Sequence, residues 1–156
     1  MKKIVLFTQN LDIGGVQKSV STLANFLTKF YKVYIVLAED NKKIRYRLDF
    51  GVEVLMIKTK KFDLQKKFIA LKIFNYRVKE FDKILKIIKP SLVFSYEDYN
   101  NFISLKTKYR TKKIVSVRVS IDNYKNKKIH LFEESFYVSN YKKLYKNEKV
   151  LVVSKD

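Results

Sequence analysis

Leu11-Asp12-Ile13-Gly14-Gly15-Val16-Gln17-Lys18-Ser19 is the stretch whose residue types and spacing best suit ligand chemistry. Two adjacent glycines allow a turn with positive φ and a close approach of backbone to a ligand. A helix starting directly after them would offer unpaired amides and the positive end of its dipole to an anion. Asp12, Gln17 and Lys18 belong to this phosphate-facing loop, and Lys18 adds a charge. The same turn would also serve a strand-to-helix connection that binds nothing. The pattern is neither G-x-G-x-x-G nor a P-loop ending in G-K-[ST], which disfavours dinucleotide binding and ATP hydrolysis. With no cysteine and a single histidine, His130, the chain offers no zinc cluster and no nucleophile triad. No metal is expected.

The elements that must position this loop alternate in type. Ile4-Val5-Leu6-Phe7 reads as a strand. Val16, Val20, Leu23, Leu27 and Phe30 fall on one face of a helix. Residues 33–37, 52–57, 91–95, 113–119 and 149–153 read as further strands. The charged stretch from Lys58 to Lys89 reads as two helices, 64–74 and 78–88, stopped by Pro90. Short helices are expected over 99–105 and 131–144. Near-continuous apolar strands between helices indicate a parallel sheet covered on both faces. The expected fold is α/β: one Rossmann-like, doubly wound domain over 1–156, its mainly parallel sheet of about six strands flanked by helices. Ligands of such folds sit beyond the carboxyl ends of the strands, here residues 8–15, 38–40, 95–98, 118–122 and 154.

The order of short segments resembles the family-4 type of GT-B glycosyltransferases. The resemblance runs from Phe7 through the Gly-Gly-Val-Gln-Lys segment to Leu23-Ala24-Asn25-Phe26-Leu27. It continues at 32–37, at Ile87-Ile88-Lys89-Pro90-Ser91-Leu92-Val93, at Val115-Ser116-Val117-Arg118 and at Val150-Leu151-Val152-Val153-Ser154-Lys155. It implies the N-terminal, acceptor-side half of an enzyme that transfers a sugar from a nucleotide-sugar to a saccharide or lipid-linked acceptor. Such enzymes usually work without a bound metal, and the absence of D-x-D fits. The donor would be held mainly by a C-terminal domain that this sequence does not contain, supplied in cis or in trans. The chain alone is then expected to be inactive and to hold no cofactor. The implied substrate-binding residues are Gly14, Gly15 and Arg118, converging on one cleft. Glu97 and Asp98 either bind sugar hydroxyls or cap the next helix. His130 reads as a helix-start or surface residue, and Asp122-Asn123 as turn chemistry.

The formal charge is +19, most of it lysine, with arginine only at positions 45, 47, 77, 110 and 118. A solvated lysine surface accounts for this, and so does attraction to phosphates or an anionic membrane leaflet. Lys60, Lys61, Lys66, Lys67 and Phe68 lie in a basic amphipathic stretch suited to a membrane surface. No uncharged run approaches the roughly 20 residues of a membrane span. The same stretch would also suit an ordinary domain helix whose lysines face water; a cytoplasmic protein is expected, at the inner face of the membrane if the stretch binds there. Two other readings stand beside the enzyme. One is a non-catalytic Rossmann-like module for small molecules or phosphate. The other is a basic nucleic-acid-binding protein, disfavoured because arginine is scarce and the aromatics occupy core-like positions.

Overall fold

The computed structural model describes residues 1–40, 43–58, 62, 69–117, 145–146 and 149–152. Strands β1 (Lys3–Thr8), β2 (Lys32–Leu37), β3 (Val52–Met56), β4 (Leu92–Tyr96), β5 (Lys112–Val117) and β6 (Lys149–Val152) form one sheet in the order β3-β2-β1-β4-β5-β6. Every pairing is parallel. The helices described are α1 (Gly15–Leu27), α2 (Ile69–Ile88) and α3 (Asp98–Lys106). This is the Rossmann-like architecture expected from the alternation. The strand order reverses between β1 and β4, and the loops that follow these two strands open the crevice where such folds bind ligands.

The central strands are apolar on both sides because both faces are covered. On one face Val20 and Ala24 of α1 pack against Ile4, Leu6, Val33, Ile35 and Leu37. On the other, Phe74, Phe81, Leu85 and Ile88 of α2, with Phe102 and Ile103 of α3, pack against Val5, Phe7, Val36 and Val93. Phe7 and Phe81 are stacked at 3.9 Å between centroids, both without exposure.

The expected break between two helices near residues 75–77 does not exist. Ile69–Ile88 is one continuous helix. Asn75-Tyr76-Arg77 contains no proline or glycine, and the buried stripe of Phe74, Phe81, Leu85 and Ile88 runs across it at helical spacing. The part of the first predicted helix at 64–68 lies outside the described residues, as do the helix predicted for 131–144 and the end of the fifth strand beyond Val117. The stop at Pro90 is as expected. Lys89 closes α2 in the left-handed region, φ 54°, with its amide donating to the Leu85 carbonyl at 2.8 Å.

Asp82 ties α2 to the loop before β5. The Tyr109 amide donates to Oδ1 at 2.7 Å, and the Lys86 ammonium lies 2.8 Å from Oδ2. Burial opposes the charge of Asp82. Lys86 and the Tyr109 and Lys108 amides overcome that opposition and hold its carboxyl below its ordinary 3.8. A depressed folded pKa contributes stability that is present above the unfolded value and lost as pH falls through the folded one. Asp82→Ala is therefore expected to cost about 2 kcal/mol at neutral pH, much of it from the stranded amide. The charge-linked part of the gap to wild type should fade as pH falls below about 4, leaving the part due to the stranded amide. Urea unfolding of both proteins across that range measures it.

Candidate functional site

The carboxyl ends of β1, β2 and β4 bring Gln9, Glu39 and Glu97 together. Glu97 follows β4 and takes three donors on one oxygen, Oε2: the Gln9 amide at 3.1 Å, the Asn100 side chain at 3.1 Å and the Thr8 hydroxyl at 3.4 Å. The Gln9 side chain reaches the other way and donates to Glu39 Oε1 at 2.6 Å, while Asn10 donates to Oε2 of the same carboxylate at 3.2 Å. Gln9 thus bridges two half-buried carboxylates. Burial pushes the Glu97 carboxyl above its ordinary 4.5 and the Glu39 charge adds to this, against the pull of Gln9, Thr8 and Asn100.

Two features mark Glu97 as more than a helix start. Its backbone has φ 72° and ψ 139°, a region sparsely populated by residues with a Cβ, of the kind that costs about 1–3 kcal/mol and concentrates at functional sites. Its side chain also makes no capping bond to α3, so the capping alternative is not what the structure shows. The carboxylate turns back to β1, and among the described residues no hydrogen bond falls on its Oε1. Asp98, by contrast, is buried and receives the Tyr145 hydroxyl at 3.3 Å. Of the two expected acceptors of hydroxyls, Glu97 is half-buried and Asp98 buried.

The loop after β1 is pinned by partners distant in sequence. Leu11 forms a parallel bridge with Ile44 and is fully buried. Asp12 meets Arg45 at 3.2 Å, and its own amide donates to Asn10 Oδ1 at 3.1 Å. The Tyr46 hydroxyl receives the Gly14 amide at 3.1 Å and donates to the Gly14 carbonyl at 3.0 Å.

The expected positive φ at the glycines is absent. Neither Gly14 nor Gly15 lies in the left-handed region, and Gly14 is extended at φ 165°. A Cβ at Gly14 would meet only the end of the flexible Gln17 side chain, which can swing aside, and one at Gly15 would meet nothing within 4 Å. The first helical bond of α1 runs from the Lys18 amide to the Gly14 carbonyl at 3.0 Å. With the Gly14 amide held by Tyr46, the amides of Gly15, Val16 and Gln17 are the donors left at the helix start.

A groove of about 730 Å³ begins there and follows α1. Gly15, Lys18, Ser19 and Thr22 form its polar side, and Leu23, Phe26, Phe94, Tyr96 and Leu151 the apolar remainder. Gly14, Gly15, Asp12, Gln17, Lys18 and Glu97 therefore share the carboxyl edge of the sheet. Arg118, Lys60, Lys61, Lys66, Lys67, Phe68 and His130 lie outside the described residues. Gln9, Asn10, Glu39, Asn100 and Tyr46 are site residues that sequence reasoning does not single out. Only the placement of Gln9, Asn10 and Glu39 in the loops directly after apolar strands hints at three of them. Among the described residues, no group of three or more His, Cys, Asp or Glu side chains could hold a metal ion.

No protein-family model matches the sequence, and no curated protein matches it. Solved structures do match its fold. Sucrose-phosphate synthase from Thermosynechococcus elongatus superposes with a TM-score of 0.74 at 10% identity, over 99% of this chain and 43% of that one. A UGT transferase from Siraitia grosvenorii, solved in complex with UDP, gives 0.54 at 8% identity over 79% of this chain and 29% of its own. A putative epimerase from Burkholderia cenocepacia J2315 gives 0.51 at 8% identity, over 97% of this chain and 52% of its own. The chain thus spans less than half the length of the two transferases. What it shares with them at these identities is architecture, and that architecture is the Rossmann-like fold found in GT-B glycosyltransferases.

Proposed function

We propose that this chain is the acceptor-side domain of a GT-B glycosyltransferase, passing a sugar from a nucleotide-sugar to a saccharide or lipid-linked acceptor. A donor-binding domain would complete it, in cis or in trans. The observation that carries the reading is the Gln9-bridged pair Glu39 and Glu97 at the strand-order reversal, beside the start of α1. Glu97 Oε1 accepts a hydrogen bond from an acceptor hydroxyl. A carboxylate held above its ordinary pKa is the better proton acceptor for a hydroxyl about to attack. Gly15, Val16, Gln17 and Lys18 turn amides and a charge toward the donor phosphates. Arg118, the next residue in sequence after β5, is proposed as a further substrate contact, whereas Asp98, buried and bonded to Tyr145, is not. The nucleotide would be gripped chiefly by the partner domain, so the chain alone turns nothing over.

The test is reconstitution. The reading frame around the coding sequence is searched for a second Rossmann-like domain, the two are produced together, and nucleotide release is followed from a panel of nucleotide-sugars with saccharide and lipid-phosphate acceptors. Turnover by the pair, with none by this chain, is expected. Saccharide binding without turnover in any pairing would replace the enzyme with a non-catalytic binding module. Absence of both would overturn the reading.

A further inference from the structure

A parallel sheet gathers all its strand starts on one edge, and here that edge is basic. Lys3 and Lys32 stand side by side in register at the starts of β1 and β2. Lys112 and Lys149 open β5 and β6. The loop between α3 and β5 adds exposed Lys108 and Arg110, and α2 ends there in exposed Lys89. Among the described residues, few carboxylates answer them. Asp49 lies in the turn before β3, Glu53 is already paired with Lys32 at 2.8 Å, and Asp82, beside the loop before β5, is paired with Lys86 at 2.8 Å. The acidic side chains gather instead at the opposite edge, as Asp12, Glu39, Asp40, Glu97 and Asp98.

Apolar side chains project from this same edge. Phe50 is fully exposed, Ile87 is 79% exposed and Phe30 58%. Phe50 is held out by a fixed turn. Asn25 of α1 donates to the Arg47 carbonyl at 3.0 Å and accepts from the Asp49 amide at 2.9 Å, while Gly51 sits against Thr28. Phe30 stands 5.7 Å from Phe26, with the Lys29 ammonium over the Phe26 ring.

We propose that this amino edge docks on an anionic lipid bilayer, with Phe30, Phe50 and Ile87 in the headgroup layer and the flanking lysines on lipid phosphates. Aromatic rings favour that depth, and each nearby Lys or Arg adds attraction to an anionic leaflet. Exposed Ile87 argues for lipid over nucleic acid, since an aliphatic side chain gains nothing from a phosphate backbone. None of these residues belongs to the stretch 60–68, and the proposal does not depend on the transferase reading.

The chain contains no tryptophan, so Phe50→Trp supplies a single reporter at a position where nothing is packed. Vesicles of phosphatidylglycerol mixed with phosphatidylcholine should shift its emission to the blue. Phosphatidylcholine vesicles alone should not, and neither should the anionic vesicles shift the emission of Lys79→Trp, on the exposed side of α2. Lys108→Glu with Lys112→Glu should weaken co-sedimentation with the anionic vesicles by at least ~10-fold. Lys72→Glu with Lys79→Glu, an equal change of charge elsewhere, should retain most of the binding. Circular dichroism confirms that each variant is folded. An unshifted indole emission from Phe50→Trp, or equal losses in the two charge-reversed proteins, would overturn the proposal. So would salt-sensitive binding of duplex DNA through Lys108 and Lys112 with the indole of Phe50→Trp still in water, which would assign the edge to nucleic acid.

Discussion

Glu97→Ala is expected to abolish productive saccharide binding while leaving the domain folded. A hydrogen bond to a charged acceptor contributes about 1.5–3 kcal/mol, which is about 10- to 100-fold in affinity. The loss should exceed that of a single contact, because Gln9 and Asn100 are positioned by the same carboxylate. Stability moves by opposing amounts. The fully buried Asn100 side chain loses its acceptor, yet the cost of burying a charge beside Glu39 disappears.

Glu97→Gln separates these effects through pH. The folded pKa of Glu97 is raised, so its contribution to stability is complete below the ordinary 4.5 and declines as pH rises through the folded value. The glutamine variant does not titrate there, and should gain on wild type as pH rises from 4.5 toward neutrality. This is opposite in sign to the Asp82 effect. Titration of saccharides into the three proteins, with unfolding curves at several pH values, gives both readouts. Wild-type affinity in Glu97→Ala would remove Glu97 from the acceptor site.

Phe81→Ala is expected to have the largest effect on the fold. Phe81 is fully buried and stacked on Phe7 of β1, so truncation opens a cavity at the centre of the α2 face. Losses of about 3–5 kcal/mol are typical of such a change. In a domain of this size that lowers Tm by about 10–15 °C. Differential scanning calorimetry measures it, and a cost below about 1 kcal/mol would mean that α2 does not seat on β1 through this pair.

Much of the sheet is legible in the sequence because its signal is local. Runs such as Val33–Leu37 and Leu92–Phe94 are apolar on both sides, and such a run between helical patterns has few other solutions. The start of α1 after Gly14 and the position of Glu97 at a strand end are legible for the same reason. The false helix break near residue 76 comes from weighing charge density over the unbroken stripe of Phe74, Phe81 and Leu85. The site itself is mostly illegible. Gln9 meets Glu39 across 30 positions and Glu97 across 88, and Tyr46 meets Gly14 across 32. None of these pairings leaves a trace in spacing. The glycine pair stands out as a special position but for the wrong property, since a backbone amide satisfied by a tyrosine hydroxyl exists only after folding.

Strand β4 is bracketed by the two non-glycine residues that have positive φ among those described, Lys89 before it and Glu97 after it. Their strain has different standing. At Lys89, the left-handed position after a helix, glycine would adopt the same backbone freely, and nothing in the crevice depends on the side chain. At Glu97 the side chain that makes the backbone costly is the one that organises the crevice. Stability is thus left unclaimed at one end of the strand and traded against function at the other. An engineer seeking a hardier protein would begin with Lys89→Gly, giving up one amino-edge charge and leaving the chemistry untouched.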